Sequence, residues 1–411
     1  MKRTIVFILS PYISHIIAAV KVARHLQQRG FHIVYVSSPL LQTAIHRYGF
    51  DCHPTSVKFI GHTGQDPVVI KILLEEIKAQ YAPVAFMVEV GFWEAALLLK
   101  GMGIRFLMLQ SWAYGDRCAY MPPFYRHKKL PSRNIPVFVW NTVVWEWSNL
   151  YHRFLQRGFW QRYRAVVQLS NLPASVRHVT FKNRSTICRV LHVPELVLYP
   201  AELDFPRKLH PDTRFAGPFI DADRTENAFD FEQIDLSKPL VVCSLGSLTH
   251  WYEQAPLFYQ KVIDAFRICT QYTLVMNVGH CIEQFKDTVL PANVHLYRAI
   301  PQLTLLKKAR FFITHGGASS LKEGIHFAVP MLVYPWTLKS DMYENAKRIV
   351  YHQLGIAGDI EQDSPADIVR HLEALCQDRI TTGIRYMQSI FEQYQTAEST
   401  VIDFIESVIH H

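Results

Sequence analysis

The sequence predicts an α/β protein built from two doubly wound, parallel-sheet domains. Three observations carry this. The length of 411 residues suits two domains of usual size rather than one. The chain opens with an apolar run, Thr4–Leu9, a loop, an apolar-periodic stretch from about His15 to Arg29 closed by Gly30, and a second apolar run, His32–Ser37. That β-loop-α-β order is the start of a parallel, doubly wound sheet. A second such start follows a polar stretch: Leu240–Ser244 reads as a strand, Leu245-Gly246-Ser247 as a loop, and Pro256 can begin the next helix.

The composition agrees. Hydrophobic residues make up 49%, enough for two packed cores and too many for a disordered chain. The seven cysteines (52, 118, 188, 243, 269, 281 and 376) are scattered without a CxxC pair. That pattern predicts reduced thiols in a cytoplasmic protein, not a disulfide frame or a zinc site. The apolar run in MKRTIVFIL is too short for a signal peptide, and no run of about 18 apolar residues predicts a membrane-spanning helix. The net charge of +8 fits nucleic acid, anionic lipid or an anionic ligand. No nucleic-acid module is recognisable, so no nucleic-acid partner is expected.

Further elements follow in order. Residues 85–104, AFMVEVGFWEAALLLKGMGI, read as strand, turn and helix, with Glu89 at the strand end; one reading makes Glu89 a cap for the helix from about Phe92. RFLMLQSW, 105–112, is the next strand, and 114–136 is a proline- and basic-rich loop long enough to be functional. From Asn134 to Arg164 there are nine aromatics, four of them Trp, with four Arg and one Glu. Val143, Trp147, Leu150, Tyr151 and Phe154 share one helical face. Two compatible readings arise: helices packing on the first sheet, or an amphipathic surface at a lipid headgroup level. A polar linker runs through residues 219–237. Beyond it, Tyr272–Asn277 and Val294–Tyr297 read as strands, and 365–376 and 383–409 as helical.

The stretch 293–348 carries the most chemistry. Phe311–Thr314 reads as a short buried strand, followed by His315-Gly316-Gly317-Ala318-Ser319-Ser320 and a helical pattern to Ala328. The glycines let backbone N–H groups approach a ligand closely, and the helix N-terminus suits a phosphate. Ser319, Ser320 and His315 add donors. Glu323, about one turn into the helix, can accept from two ribose hydroxyls. A strand from Met331 to Tyr334 ends at Pro335-Trp336, and Asp341 follows. Phosphate donors, a ribose acceptor and a more distal polar group describe a nucleotide with a substituent on its phosphates.

These residues resemble the donor-binding signature of the family 1 nucleotide-sugar glycosyltransferases, which include macrolide, plant natural-product and animal UDP-glycosyltransferases. The matching pieces are Pro301-Gln302, Leu305-Leu306, ITHGG with Ser320, Glu323, Val329-Pro330, and Asp341 with Asn345-Ala346-Lys347-Arg348. The Gly217-Pro218 pair resembles the end of the family's first domain, and Ser244–Ser247 its diphosphate loop. The resemblance implies a GT-B fold: two Rossmann-like domains facing a central cleft. The implied limits are 1–217 for an acceptor-binding domain, 218–238 for a linker, 239–385 for a donor-binding domain, and 386–411 for a last helix packing back on the first domain. It implies an inverting transfer of a hexose from a nucleotide sugar, a UDP-sugar first of all, to a hydroxyl, with no cofactor and no metal. The tail, DFIESVIHH, lacks the membrane anchor of the animal relatives.

The family's general base is a histidine between the first strand and a helix ending in Arg-Gly, which matches His15; Ser14 and Ala18 depart from the usual glycine and proline. A near-neutral side chain suits that task. The same resemblance puts Glu89 where an Asp orients the base. Donor residues carried over are Gly246, Ser247, Ile300, Gln302, His315, Gly317, Ser319, Ser320, Glu323, Trp336 and Asp341; Trp112, Trp140 and Trp147 are expected to line the acceptor site. Asp221-Ala222-Asp223 is only superficially a metal-binding DxD, since it lies in the linker. Three departures bear on the donor: Ala299 replaces a base-stacking aromatic, Met342 replaces a glutamine that contacts the sugar, and two extra residues lengthen the Trp336–Asp341 loop. The few polar side chains of the 134–164 segment point to a lipophilic acceptor, with peripheral contact at the inner membrane face. The rival readings are a sugar-nucleotide epimerase or hydrolase of the same fold and a catalytically silent donor-binding protein.

Overall fold

The computed structural model describes residues 3–57, 66–112, 115–118, 121, 134–184, 187–337 and 340–410. Most of the 114–136 loop and two residues of the Trp336–Asp341 loop, Leu338 and Lys339, lie outside them. The chain groups into two compact units, one of Met1–Phe124, Ser132–Asp221 and Tyr394–His411, the other built on Ala222–Gln393.

In the first unit, strands β1 (Arg3–Ile8), β2 (Phe31–Ser37), β3 (Asp51–Pro54), β4 (Ala85–Glu89), β5 (Phe106–Gln110), β8 (Glu195–Val197) and β9 (Thr213–Phe215) form one sheet in the order β3-β2-β1-β4-β5-β8-β9. Every pairing in it is parallel. The short β6 (Val179–Thr180) and β7 (Arg189–Val190) pair antiparallel beside it. A parallel sheet is covered on both faces, so its strands are apolar without alternation; Ile5, Val6, Phe7 and Ile8 are all fully buried. The helices are α1 (Ile13–Gln28), α2 (Gln42–Arg47), α3 (Pro67–Tyr81), α4 (Trp93–Gly101), α5 (Ile135–Leu150) and α6 (Arg157–Leu169). Helix α1 buries Ile16, Ala19, Val20, Ala23 and Leu26 against one face of the sheet. A buried ion cluster, with Arg184 and Arg189 both donating to Asp116 and Glu195, ties the segment after α6 to β8 and the chain after β5.

Helix α5 departs from the usual arrangement. Its buried residues are Asn141, Trp145 and Ser148. Phe138, Val139, Trp140, Val143, Trp147 and Leu150 are exposed, with Tyr151 and Phe154 continuing the strip through a turn of π-helix. The periodicity correctly identifies an apolar face, but that face looks outward. Trp145 is on the opposite side, where its indole N–H donates to the Met121 carbonyl at 2.8 Å.

In the second unit, β10 (Leu240–Ser244), β11 (Thr273–Asn277), β12 (Val294–Tyr297), β13 (Ala309–Thr314), β14 (Met331–Val333) and β15 (Gly355–Ala357) make a parallel sheet in the order β12-β11-β10-β13-β14-β15. Around it are α7 (Ala255–Ile268), α8 (Gln302–Leu306), α9 (Ala318–His326), α10 (Met342–Tyr351), α11 (Pro365–Ala374) and α12 (Asp378–Thr396). The single helix expected over 386–411 is two: α12 ends at Thr396, and α13 covers Glu398–His410. No glycine or proline marks the break, so the apolar period reads through it. Helix α13 belongs to the first unit, where Ile402, Ile405 and Ile409 join the core that α1 packs on and Glu398 accepts from Lys21 and His25 at 2.8 and 2.9 Å. Among the described residues no helix is long and apolar enough to cross a membrane. None of the seven cysteines, all among the described residues, forms a disulfide.

Candidate active site

In a doubly wound sheet, ligands bind beyond the carboxyl ends of the strands where the strand order reverses. In the first unit that point lies between β1 and β4, which pair in register up to Ile8 and Val88. His15, in the first turn of α1, and Glu89, the last residue of β4, come together there. His15 Nδ1 lies 2.5 Å from Glu89 Oε1. Glu89 is 1% exposed; its Oε2 accepts from the Ser10 backbone N–H at 2.6 Å, and Oε1 also accepts from Ser111 Oγ at 3.3 Å. Burial pushes the Glu89 carboxyl up, but the His15 charge and the hydrogen bonds from His15 and Ser10 together bring it below the ordinary carboxylate value. An ionised carboxylate only accepts, so the shared hydrogen bond holds a proton on His15 Nδ1; in the neutral ring Nε2 is then the acceptor. Trp112, just past β5, sets its ring against His15 with centroids 5.5 Å apart. Glu89 therefore serves the histidine with its side chain, while its backbone carbonyl accepts from Phe92 at the start of α4.

The second unit has its reversal between β10 and β13, and the two predicted loops leave there. Gly246 and Gly316 have φ of +82° and +90°, a left-handed conformation that glycine adopts without strain. The His315 imidazole packs between the loops: a Cβ on Gly246 would lie 2.4 Å from its Cε1, and one on Gly317 2.5 Å from its Nε2. The Ser244 backbone lies against the ring as an acceptor, while Nδ1 is buried with no partner in full hydrogen-bond geometry among the described residues. Burial drives the His315 pKa down to about 4, with the Ser244 contact acting in the opposite sense. The ring is thus neutral at pH 7 and offers an N–H without a charge. Gly317 caps α9 in extended conformation, and Ser319 and Ser320 are half-buried in its first turn. Ser247 is exposed just past β10, and Ile300 is half-buried before α8.

Glu323 is buried on α9. Its Oε2 accepts from Gln302 Nε2 at 2.6 Å, and Gln302 also reaches Ser320 Oγ at 3.4 Å. Asp341 stands at the start of α10, where Asn345 Nδ2 donates both to Asp341 Oδ2 and to the Gly316 carbonyl at 2.8 Å. That amide couples the glycine loop to the carboxylate. Lys322, buried beside them, has its pKa pushed down to about 8 by burial, against the charges of Glu323 and Asp341. Trp336 stacks on Tyr252, centroids 5.7 Å apart and planes 15° from parallel.

The predicted residues thus form two clusters, one in each unit. Trp112 joins the first. Trp140 and Trp147 instead lie on the outward face of α5. Asp221, the first residue of the DxD-like triplet, accepts from Arg24 at 2.6 Å. Arg224 and Glu226 were missed by the sequence reading: both touch the Glu323–Gln302 pair or its helix. Their charges were visible, but in a segment readable only as polar linker.

A family model described as UDP-glucoronosyl and UDP-glucosyl transferase matches residues 139–393, more than half of the chain. The chain belongs to this family. The matched part of this glycosyltransferase begins within α5 and takes in the whole run of 222–393. It is similar to the NDP-glycosyltransferase YjiC of Bacillus licheniformis, 28% identical over 277 residues, 59% of this chain and 67% of that protein. It is also similar to the oleandomycin glycosyltransferase of Streptomyces antibioticus, 31% identical over 160 residues, 38% of this chain and 36% of that protein. Among solved structures, CalG4, the calicheamicin glycosyltransferase, superposes with a TM-score of 0.73 at 18% identity, covering 100% of this chain and 99% of that one. The glycotransferase of kitacinnamycin gives 0.77 at 20% identity, covering 100% of both. The fold is GT-B.

Proposed function

We propose that this glycosyltransferase moves a hexose from a pyrimidine nucleoside-diphosphate sugar to a hydroxyl of a lipophilic acceptor, with inversion and without a metal. The observation that carries the reading is the 2.5 Å pair of His15 and buried Glu89 at the β1–β4 reversal. In the proposed step the acceptor oxygen attacks the anomeric carbon from the face opposite the diphosphate. Its proton passes to His15 Nε2, and the sugar–oxygen bond breaks with its electron pair going to the diphosphate. Glu89 then stabilises the imidazolium. Neutral His315, the α9 N-terminus and Ser320 are assigned to the diphosphate, Glu323 to the ribose, Asp341 to the sugar. Support for a pyrimidine donor comes from the family description, which names UDP, and from the similar VinC, solved in complex with DTDP. Support for a lipophilic acceptor drawn from a membrane surface in the cytoplasm comes from the outward apolar face of α5.

The test is a transfer assay with UDP- and dTDP-hexoses against lipophilic alcohols, with and without EDTA. A product of inverted anomeric configuration, formed equally with EDTA, is expected. Retention, or donor consumption without acceptor, rejects the mechanism. Co-sedimentation with anionic vesicles, lost in Trp140→Ser/Trp147→Ser, tests the membrane half.

A further inference from the structure

The segment that opens the second unit reaches the Glu323 cluster. Both oxygens of Glu323 are engaged: Oε1 accepts from Arg224 Nη1 at 2.5 Å, and Oε2 from Gln302 Nε2 at 2.6 Å. Arg224 Nη2 also donates to Glu226 Oε1 at 3.3 Å. Glu226 in turn accepts from the backbone N–H groups of Leu303 and Thr304, at 3.1 and 2.9 Å. One guanidinium therefore bridges two carboxylates, and the second of these is fastened to the helix that presents Gln302.

Two physical consequences follow for Glu323. A carboxylate offers about four lone-pair sites, so two bound donors leave room for a ribose diol while fixing the group's rotation. The terminal torsion of a free glutamate is otherwise broad. Burial makes pairing matter as well: Glu323 is 4% exposed, and a buried charged group needs a partner. Arg224 supplies the opposite charge, and its planar fork sets the orientation, which a lysine would not.

We propose that Arg224 is a positioning residue of the donor site, holding the Glu323 carboxylate paired and aimed at the ribose hydroxyls. The inference rests on the assignment of Glu323 to the ribose in the proposed function, and the experiment separates the two. UDP and 2′-deoxy-UDP are titrated calorimetrically into wild type, Arg224→Gln, Arg224→Lys and Glu323→Ala. Wild type is expected to favour UDP by about tenfold or more, the scale of one hydrogen bond to a charged group. In Arg224→Gln, UDP binding falls by about tenfold and most of that preference disappears. Arg224→Lys recovers part of the affinity but not the full preference; if the glutamine variant fails to fold, this partial loss carries the comparison. An unchanged UDP affinity in Arg224→Gln, or an equal weakening of both nucleotides, overturns the role of Arg224. Equal binding of both nucleotides by wild type, or no effect of Glu323→Ala, overturns the ribose assignment itself.

Discussion

His15 and His315 stand at the strand-order reversals of their units, on opposite sides: β1 corresponds to β10 and β4 to β13. Each follows a strand that borders the reversal of strand order in a parallel sheet, and each precedes or opens the next helix. Their surroundings differ. His15 has a buried carboxylate on Nδ1 and a tryptophan edge beside it. His315 has two glycines against its ring and the Ser244 backbone beside it, with no carboxylate partner among the described residues. The first environment would stabilise an imidazolium formed by accepting a proton, as the proposed step requires. The second penalises the same charge and keeps the ring neutral. Topology supplies the reversal twice, and the groups packed on each ring decide whether it tolerates a charge; on the proposed function, that suits the first to proton transfer and the second to hydrogen-bond donation.

The largest expected effect breaks the first side of this pairing. His15→Ala should lower turnover by about 10²-fold or more, the scale of a lost general base, with UDP affinity in calorimetric titration unchanged. A variant that turns over at the wild-type rate would remove His15 from the reaction. Glu89→Gln keeps the size of the partner and removes its charge. Its loss should be smaller, about tenfold, because it acts through the ring; a loss exceeding that of His15→Ala would assign the base to Glu89. On the other side, His315→Ala should weaken UDP binding by about tenfold, one hydrogen bond's worth with its packing, and leave turnover at saturating donor nearly intact. A fall confined to turnover would place proton transfer at the wrong histidine.

The smallest effect is one of pH. The folded His315 pKa lies near 4, against an ordinary value of 6.5, so between these values the unfolded chain binds more protons than the folded one. Stability from this group is therefore full above about pH 6.5 and declines as pH falls toward 4. Urea midpoints should show His315→Asn losing less stability than wild type across that window; parallel curves would contradict the burial argument.

Much of this was legible beforehand. The two β-loop-α-β openings give both reversals of strand order, and the glycines beside His315 announce a loop approached closely by another group. Glu89 was placed at a strand end, though a helix cap explained it equally well until β4 was seen paired with β1. Three things were not legible. Arg224 sits in a polar segment whose charges have no period, so only the fold shows that they converge on Glu323. The Asp116, Arg184, Arg189 and Glu195 cluster joins residues distant along the chain, each unremarkable alone. Helix α5 shows a clear apolar face, but a periodicity states that a face exists without stating which way it turns.

The direction of α5 has a practical side. Water held against an outward strip of Phe, Val, Trp and Leu is released by whatever covers it, and that attraction weakens on cooling. In dilute buffer the covering surface will be plastic, chromatography resin or a second molecule. Yield and apparent size should therefore depend on temperature and protein concentration through a single helix. A mild surfactant that coats the strip should restore recovery without touching His15 and Glu89.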